Sequence, residues 1–412
     1  MKAADSKSHA LSNWISHQGW LLLAAFVVVL PFGNAFEAPI AIMAALGLWL
    51  VYSQRQAVVA APFFRPMMLV GLGFWLPMLL SLPDAVNFSR ALETSLAFLR
   101  LPLVVVFAGF ALANDLSRQR LLQAIGWTLS VFSVCVIVAV VFQIESGLLT
   151  TIGKQRAVGH KLAIFSIVYG YWLIREVSTR RWMAMWLPIF IAAVFFSGAR
   201  VAWIMLATSI GLLLVWLVVV EKKRWRLRSI AAAGLLALVA LGALIQHPAI
   251  YNRLEEATYL FSDDYEKANK ASSLRLPIWH VGALVAQDHW LNGIGPRGFR
   301  YVYADYAPPD DFWVHEEKVI PAHPHLMLLE IASETGSIGL AGYLLVLVYW
   351  LRLLGRQAKA RESEGWLWMS AVLVAIMPYN AHMAFYASFW SCITWWLLAV
   401  ALAFLRNPTI SK

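Results

Sequence analysis

The sequence predicts an all-α integral membrane protein with about 12 transmembrane helices and one long polar loop. Of its 412 residues, 60% are hydrophobic and only 14% are charged. That composition is too apolar for a water-soluble globule with an ordinary polar surface. Apolar runs of roughly 17 to 25 residues, enough to cross about 30 Å of hydrocarbon, recur with short polar breaks. A bundle of spanning helices follows from this pattern.

The predicted spans form two groups, one on each side of the long loop. Nine lie before the loop, at 19–36, 39–52, 67–82, 96–113, 122–144, 162–174, 182–196, 201–220 and 230–245, and three after it, at 336–354, 366–383 and 385–405. The predicted organisation is therefore 1–246 for the first helices, 247–324 for the loop, and 325–412 for a histidine-bearing helix and the last spans. Cys135 and Cys392 fall inside spans, which predicts packing rather than a disulfide or metal site.

The distribution of basic residues predicts the orientation of the chain. Lys2 and Lys7 precede the first apolar run as in a signal sequence, but no small-residue cleavage site follows, so this run is kept as the first helix. Although the net charge is +10, the basic residues are scattered over short loops, which does not indicate nucleic-acid binding. Their excess lies on one side, including the cluster at 222–228. By the positive-inside rule, both termini are cytoplasmic and the loop is periplasmic.

The loop at about 247–322 is the candidate location of any chemistry, because it is the only sizeable polar segment. An amphipathic helix is predicted at 274–290, with Leu274, Ile278, Val281 and Leu284 on one face. Long loops in compact domains are often functional. Most of the histidines also fall on or near this side, namely His160, His247, His280, His289, His315, His323, His325 and His382.

Two motifs in the loop have plain structural explanations. Residues 293–298 match the dinucleotide pattern G-x-G-x-x-G, but they follow no buried strand and include Pro296, which favours a tight turn. The pairs Asp263-Asp264 and Asp310-Asp311 could ligate a divalent ion, yet adjacent acids are common in solvated loops. The prediction is therefore a site without a metal.

Arg200 and Arg275 are candidate anion ligands. Arg200 lies in the turn Ser197-Gly198-Ala199-Arg200 between two apolar helices, where either snorkelling to the interface or anion binding would explain it. Arg275 lies at the start of the predicted loop helix. A guanidinium stays charged, and its planar fork matches two phosphate oxygens. Two arginines facing one cavity would suit a diphosphate.

His325 is the candidate general base. Pro324 suits the first turn of a helix, so His325 is predicted to begin a rigid helix whose positive dipole end keeps the imidazole neutral. His323 precedes the proline and is predicted to lie in an extended approach, in a supporting role. Arg297 and Glu334 are further possible supporting residues. Zinc binding by the His-x-His pair is the alternative.

These residues, taken in order, resemble a known family. The segments Ser273-Leu274-Arg275, Asp288-His289-Trp290-Leu291 and Gly293-Ile294-Gly295-Pro296, followed by His325 and then Gly336, are similar to the O-antigen ligase and polymerase superfamily of membrane glycosyltransferases. The similarity covers about 197–345. The chain departs from the pattern at Leu326, where the family often has Asn, and at Ala199, where it usually has Ser.

The resemblance implies transfer of a glycan from undecaprenyl diphosphate to an acceptor, at the periplasmic face of the bacterial inner membrane and without a cofactor. The branch expected is the O-antigen ligase, whose acceptor is the lipid A–core of lipopolysaccharide. An O-antigen polymerase and a protein O-oligosaccharyltransferase are the alternatives within the superfamily. A transporter or flippase of anionic lipids is the non-enzyme alternative, but it predicts charges at mid-membrane rather than at one face.

Overall fold

The computed structural model describes residues 2–144, 146–147, 151–152, 156–221, 242, 246, 248–381 and 383–405. These residues form helices and loops and contain no β-strand, which confirms the all-α prediction. The α-helices, numbered in chain order over the described residues, are α1 (Lys2–Gln18), α2 (Trp20–Val29), α3 (Glu37–Ser53), α4 (Arg55–Ala60), α5 (Phe64–Leu80), α6 (Phe88–Phe98), α7 (Arg100–Ala111), α8 (Asp115–Val141), α9 (Arg156–Ile164), α10 (Ser166–Thr179), α11 (Trp186–Phe196), α12 (Arg200–Val215), α13 (Pro248–Thr258), α14 (Tyr265–Ala271), α15 (Leu276–Asp288), α16 (Phe299–Tyr306), α17 (Phe312–His315), α18 (Met327–Ala360), α19 (Ser363–Ala375) and α20 (Ser388–Ala403).

The chain is a multi-pass membrane protein. Within the described residues, six helical segments are long and apolar enough to span a membrane: Gly33–Ser53, Phe64–Asp84, Phe88–Ala111, Asp115–Val141, Arg200–Val220 and Met327–Ala360. Trp20–Val29, Arg181–Phe196 and Ser388–Ala403 are shorter apolar helices. Several predicted spans have different bounds, because the helix predicted at 336–354 begins at Met327 and the span at 162–174 is divided between α9 and α10. Apart from residue 242, the span predicted at 230–245 lies outside the described residues.

Two hydrophobic cores divide the fold. The large core lies among the apolar helices, where α3 packs on α7, α7 on α20, and α5 on α18. The small core lies within the loop region and includes Ile278, Val281 and Val285 of α15 together with Phe299 and Tyr303 of α16. The buried positions Ile278 and Val281 confirm the predicted apolar face. The loop is therefore a packed unit.

Polar contacts gather at two ends of the bundle. At one end, Arg100 Nη2 lies 2.8 Å from Glu37 Oε2. At the other, Arg175 Nη1 lies 2.7 Å from Glu364 Oε1. The folded loop lies at the first of these ends, because Arg297 lines the same cavity as Arg100. We call this the site end.

The loop is bonded to α18 where that helix kinks. Gly336, with φ 63° and ψ −160°, interrupts the helical backbone. The Ser337 N–H donates to the Trp290 carbonyl at 2.7 Å, and the Ile294 N–H donates to the Ser333 carbonyl at 3.0 Å. A Cβ at position 336 would overlap the loop backbone, so glycine allows both the conformation and the close approach.

The motif at 293–298 forms the predicted tight turn between α15 and α16. Gly293 and Gly295 have φ of 70° and 86°, a region that favours glycine. The aspartate pairs also contribute to local structure. Asp264 accepts hydrogen bonds from the first backbone N–H groups of α14, while Asp311 does so for α17 and also accepts from the Tyr303 hydroxyl at 3.0 Å. These contacts give both carboxylates a helix-capping role.

Candidate functional site

A cavity of about 220 Å³ at the site end joins three distant parts of the chain. Arg200 lines it from the start of α12, Arg275 from just before α15, and His325 from just before α18. The other described lining residues are His160, Gly198, Ala199, Val201, Ser273, Ile278 and Trp313. We call it the His cavity. It brings together the three residues that the sequence analysis singled out as base and diphosphate ligands.

The position of Arg200 depends on the turn before α12. α11 ends at Phe196, and Gly198 follows with φ 67°, which reverses the chain so that α12 begins at Arg200. Arg200 Nη2 donates to the Ser273 Oγ at 2.8 Å. This hydrogen bond directs the guanidinium toward the loop, so the arginine does more than snorkel along its own helix.

The position of Arg275 depends on an unusual backbone. Ser273 and Leu274 have φ of 64° and 59°, so two successive non-glycine residues are left-handed. α15 consequently begins at Leu276, two residues later than predicted. The Arg275 N–H donates to the Ser272 Oγ at 3.0 Å, and the Trp313 Nε1–H donates to the Leu274 carbonyl at 2.8 Å. Such strained segments cluster at functional sites, where the surrounding structure holds them.

His325 does not begin a helix, so that part of the prediction is wrong. Its φ is 53°, Leu326 is the N-cap residue, and α18 begins at Met327. The proline therefore lies in a tight loop before the helix rather than in its first turn. This loop is held by packing against α15. The packing is close, because a Cβ at Gly282 of α15 would meet Leu329 and Pro324.

His323 supports the backbone of His325. The His325 N–H donates to the Nδ1 of His323 at 3.2 Å, and the two ring centroids are 4.0 Å apart. Because this nitrogen accepts a hydrogen bond, the neutral ring of His323 carries its proton on Nε2. Glu330 Oε2 lies 3.6 Å from the same Nδ1 and accepts from the Phe385 N–H at 2.9 Å. His323 is thus part of a structural clamp on the His325 backbone.

Both imidazoles are held in the neutral form. Burial, followed by the charges of Arg297, Arg275 and Arg300, lowers the pKa of His323 to about 3. Burial, followed by His323 and Arg275, lowers the pKa of His325 to about 2. Near pH 7 both rings are therefore neutral, which is the form that a general base needs before it takes a proton. The predicted neutrality therefore comes from burial and neighbouring cations, whereas the sequence analysis attributed it to a helix dipole.

Arg297 and Glu334 contact each other outside the His cavity. The backbone N–H of Arg297 donates to the Glu334 Oε2 at 2.6 Å, and both side chains are buried. Arg297 lines a separate cavity. This separation could not be predicted from the sequence, because the spacing of residues along the loop does not show which cavity each side chain lines.

Sequence reasoning missed other parts of the site. Ser273 and Trp313 line the His cavity, and Glu330 bonds the histidine region to the segment before α20. Glu330 carried a signal, since it is a carboxylate one turn into an apolar helix, where charge is costly without partners. Trp313 carried none, because loop tryptophans are ordinary in a protein with 20 of them.

Comparison with known proteins supports the resemblance. Residues 183–344 match the family described as O-antigen ligase, which confirms the similarity found from the motifs and places Arg200, Arg275 and His325 inside the matched segment. A Rickettsia bellii (strain RML369-C) protein named "Putative polysaccharide ligase" is 25% identical over 151 residues. That alignment covers 36% of each of the two chains. Over that segment the chain is thus similar to proteins described as O-antigen ligases and polysaccharide ligases.

Proposed function

We propose that the protein transfers O-antigen polysaccharide from undecaprenyl diphosphate to the lipid A–core of lipopolysaccharide. The observation that carries this proposal is the meeting of Arg200, Arg275 and His325 in one cavity at the site end. Two guanidiniums beside one neutral imidazole suit a reaction in which a diphosphate leaves while a hydroxyl loses its proton.

The arginines would bind the diphosphate of the donor. When the bond between the anomeric carbon and the phosphate oxygen breaks, negative charge grows on the leaving group, and fixed guanidiniums stabilise it without a metal. We therefore expect EDTA to leave transfer unchanged. Loss of activity in EDTA that Mg²⁺ or Zn²⁺ restores would contradict this mechanism.

His325 would act as the general base. As the acceptor hydroxyl oxygen bonds to the anomeric carbon, the imidazole takes the hydroxyl proton, and a single displacement of this kind inverts the anomeric centre. The positive charge of Arg275 lowers the pKa of His325, so an anionic donor bound to the arginines would raise that pKa. The base therefore strengthens when the donor is in place.

The proposed orientation places the site in the periplasm. The site end lies opposite the end that carries Arg175 and Glu364, and the positive-inside rule assigns that second end to the cytoplasm. In this orientation, a donor lipid in the outer leaflet of the inner membrane reaches the His cavity with its diphosphate at the interface.

The test is transfer by the purified protein with a defined undecaprenyl-diphosphate-linked donor and three separate acceptors. We expect product on lipid A–core and none on a second lipid-linked glycan or on a peptide. Product on the glycan would indicate a polymerase, and product on the peptide would indicate a protein O-oligosaccharyltransferase. Movement of the donor lipid across liposomes without any transfer would indicate a flippase. Each of these three results would overturn the proposal.

A further inference from the structure

A second cavity, of about 300 Å³, opens at the site end beside the His cavity. Its charged lining residues are Arg90, Arg100, Arg297, Glu37 and Glu93. These residues come from the start of α3, from α6, from the start of α7, and from the loop. We call it the arginine cavity. Its role is not explained by the transfer mechanism above.

Two of the arginines in this cavity form ion pairs with carboxylates, and the third has a buried nitrogen without a hydrogen-bond partner among the described residues. Arg90 Nη1 lies 2.8 Å from Glu93 Oε2, and Arg100 Nη2 lies 2.8 Å from Glu37 Oε2. Arg297 is only 9% exposed, and its Nη1 has no hydrogen-bond partner among the described residues. A buried donor without a partner is costly, so this position is built for a group that the protein itself does not supply.

The charges near Arg297 have both signs, because the buried Glu330 and Glu334 interact with it and other arginines lie close to it as well. Arg300 follows three residues later, in the first turn of α16, and its Nε likewise has no hydrogen-bond partner in the described part of the chain. Burial, followed by the charge of Arg297, lowers the pKa of Arg300, and Arg90 acts in the same direction. Like charges held this close repel one another, which an incoming anion would relieve.

The remaining lining indicates a lipid headgroup. The cavity is also lined by Phe98, Leu101 and Cys392, of which Phe98 and Leu101 flank Arg100 in the chain. These side chains belong to apolar helical segments that are long or apolar enough to lie in a membrane. A site that combines arginines with side chains of apolar helical segments matches a molecule whose charged group sits at a membrane interface.

The arginine cavity lies next to the reacting centre. Arg297 from this cavity and Arg275 from the His cavity both lower the pKa of His323, which contacts His325. The two cavities therefore flank the histidine loop. A two-substrate transfer needs a second lipid in this neighbourhood, with its hydroxyl directed to the base.

We propose that the arginine cavity binds a phosphate group carried by a lipid headgroup, and that this lipid is the acceptor. The first statement rests on the cavity alone, while the identity of the lipid rests on the proposed function. Arg297 would be the central phosphate ligand, with Arg90 and Arg100 at the edge. Binding there would hold the acceptor lipid while its sugar reaches His325.

The test compares binding and kinetics in an Arg297→Asn variant. Asparagine tolerates the left-handed backbone of this position, where φ is 66°. Lys267→Gln is the control, because it removes an exposed positive charge at the same end outside both cavities. Binding of the lipid-linked donor, lipid A, lipid A without its phosphates, and phosphatidylglycerol would be measured by native mass spectrometry of the detergent-solubilised full chain. Acceptor and donor KM would be measured with lipid A–core and the donor.

We expect Arg297→Asn to weaken lipid A binding, and to raise the acceptor KM, by about 10-fold or more, as for loss of a charge-assisted hydrogen bond. Removing the phosphates from lipid A should have a similar effect on the wild type. Donor binding should change by less than about twofold. Arg90→Gln, at the exposed edge of the cavity, should show a smaller effect in the same direction. It replaces Arg297→Asn as the test variant if Arg297→Asn does not fold.

Equal binding of lipid A with and without its phosphates would overturn the proposal. Loss of donor binding instead of acceptor binding would assign the cavity to the donor, and would also overturn it. Equal binding of phosphatidylglycerol and lipid A would overturn the acceptor assignment and leave a general phospholipid site. If phosphate-dependent binding persists while no transfer occurs to any acceptor, the proposed function fails and the phosphate site stands.

Discussion

The two cavities at the site end differ in the chemistry that their side chains allow. The described lining of the His cavity includes two arginines and two histidines, whereas that of the arginine cavity includes three arginines and two glutamates. A neutral imidazole can take a proton, but an arginine paired with a carboxylate can only bind and orient. An arginine cluster alone therefore does not identify a reacting centre. The neighbouring histidine distinguishes one cavity from the other.

The backbone differs as well. At the His cavity, Ser273, Leu274 and His325 lie outside helices, and all three have positive φ. In the arginine cavity, Arg90 and Arg100 lie on regular helices, and Arg297 alone is left-handed. Each left-handed non-glycine residue costs about 1 to 3 kcal/mol and persists only where packing enforces it. The strained segments therefore fix the positions at which we propose the chemistry occurs.

The largest effect is expected from removal of the proposed base. We expect His325→Ala to lower single-turnover transfer by about 10² to 10⁴, which is the usual contribution of general base catalysis. Donor binding should persist, because the arginines remain. Lys267→Gln provides the expression and folding control. Near wild-type turnover in His325→Ala together with an inactive His323→Ala would place the base before Pro324 instead of after it.

The next largest effect is expected at Arg275. Lysine keeps the charge but loses the planar fork that matches two phosphate oxygens. A hydrogen bond to a charged group contributes about 1.5 to 3 kcal/mol, so Arg275→Ala should lower transfer by about 10- to 150-fold, and Arg275→Lys by less. The measurement is kcat/KM for the donor. Normal values in both variants would make Arg275 an ordinary interface residue.

A smaller effect is expected from the clamp on the His325 backbone. His323→Ala removes the acceptor of the His325 N–H and should lower turnover by about fivefold to tenfold, the value of one neutral hydrogen bond. His323→Asn places an amide oxygen near the position of Nδ1 and should restore much of the rate. If the alanine and asparagine variants have equal rates, the clamp does not contribute through this hydrogen bond.

The smallest effect is expected from pH. A base must be unprotonated, so activity is lost as the pH falls through its pKa. Because burial and neighbouring cations lower the pKa of His325 to about 2, the free protein has its neutral base throughout the physiological range. Donor kcat/KM should therefore change by less than about threefold between about pH 5.5 and 8. An acid limb near the ordinary pKa of histidine that disappears in His325→Ala would contradict the burial argument.

The sequence predicted more of the candidate site's residues than of their geometry. Arg200, Arg275 and His325 could be selected because charged and titratable residues beside apolar helices are costly without a role. The conformation of His325 could not be predicted in this way. Helix start signals placed Pro324 in the first turn of a helix, whereas the structure has it in a loop that packs against Gly282.

Long-range contacts account for most of what the sequence did not show. The kink at Gly336 allows the loop to bond to α18. Nothing in the local sequence pattern identifies Trp290 as the residue whose carbonyl accepts from the Ser337 N–H. The arginine cavity likewise combines Arg90 and Arg297, which lie far apart in the chain. Helix periodicity predicts which residues face inward, and it does not predict which helices meet.

The most direct test of the account is a cryo-electron microscopy structure of the full chain with an undecaprenyl-diphosphate-linked donor. We predict that both phosphorus atoms lie in the His cavity, between Arg200 and Arg275, with the anomeric carbon facing the imidazole of His325. A diphosphate bound instead in the arginine cavity, against Arg90 and Arg297, would reverse the roles of the two cavities and contradict the proposed mechanism.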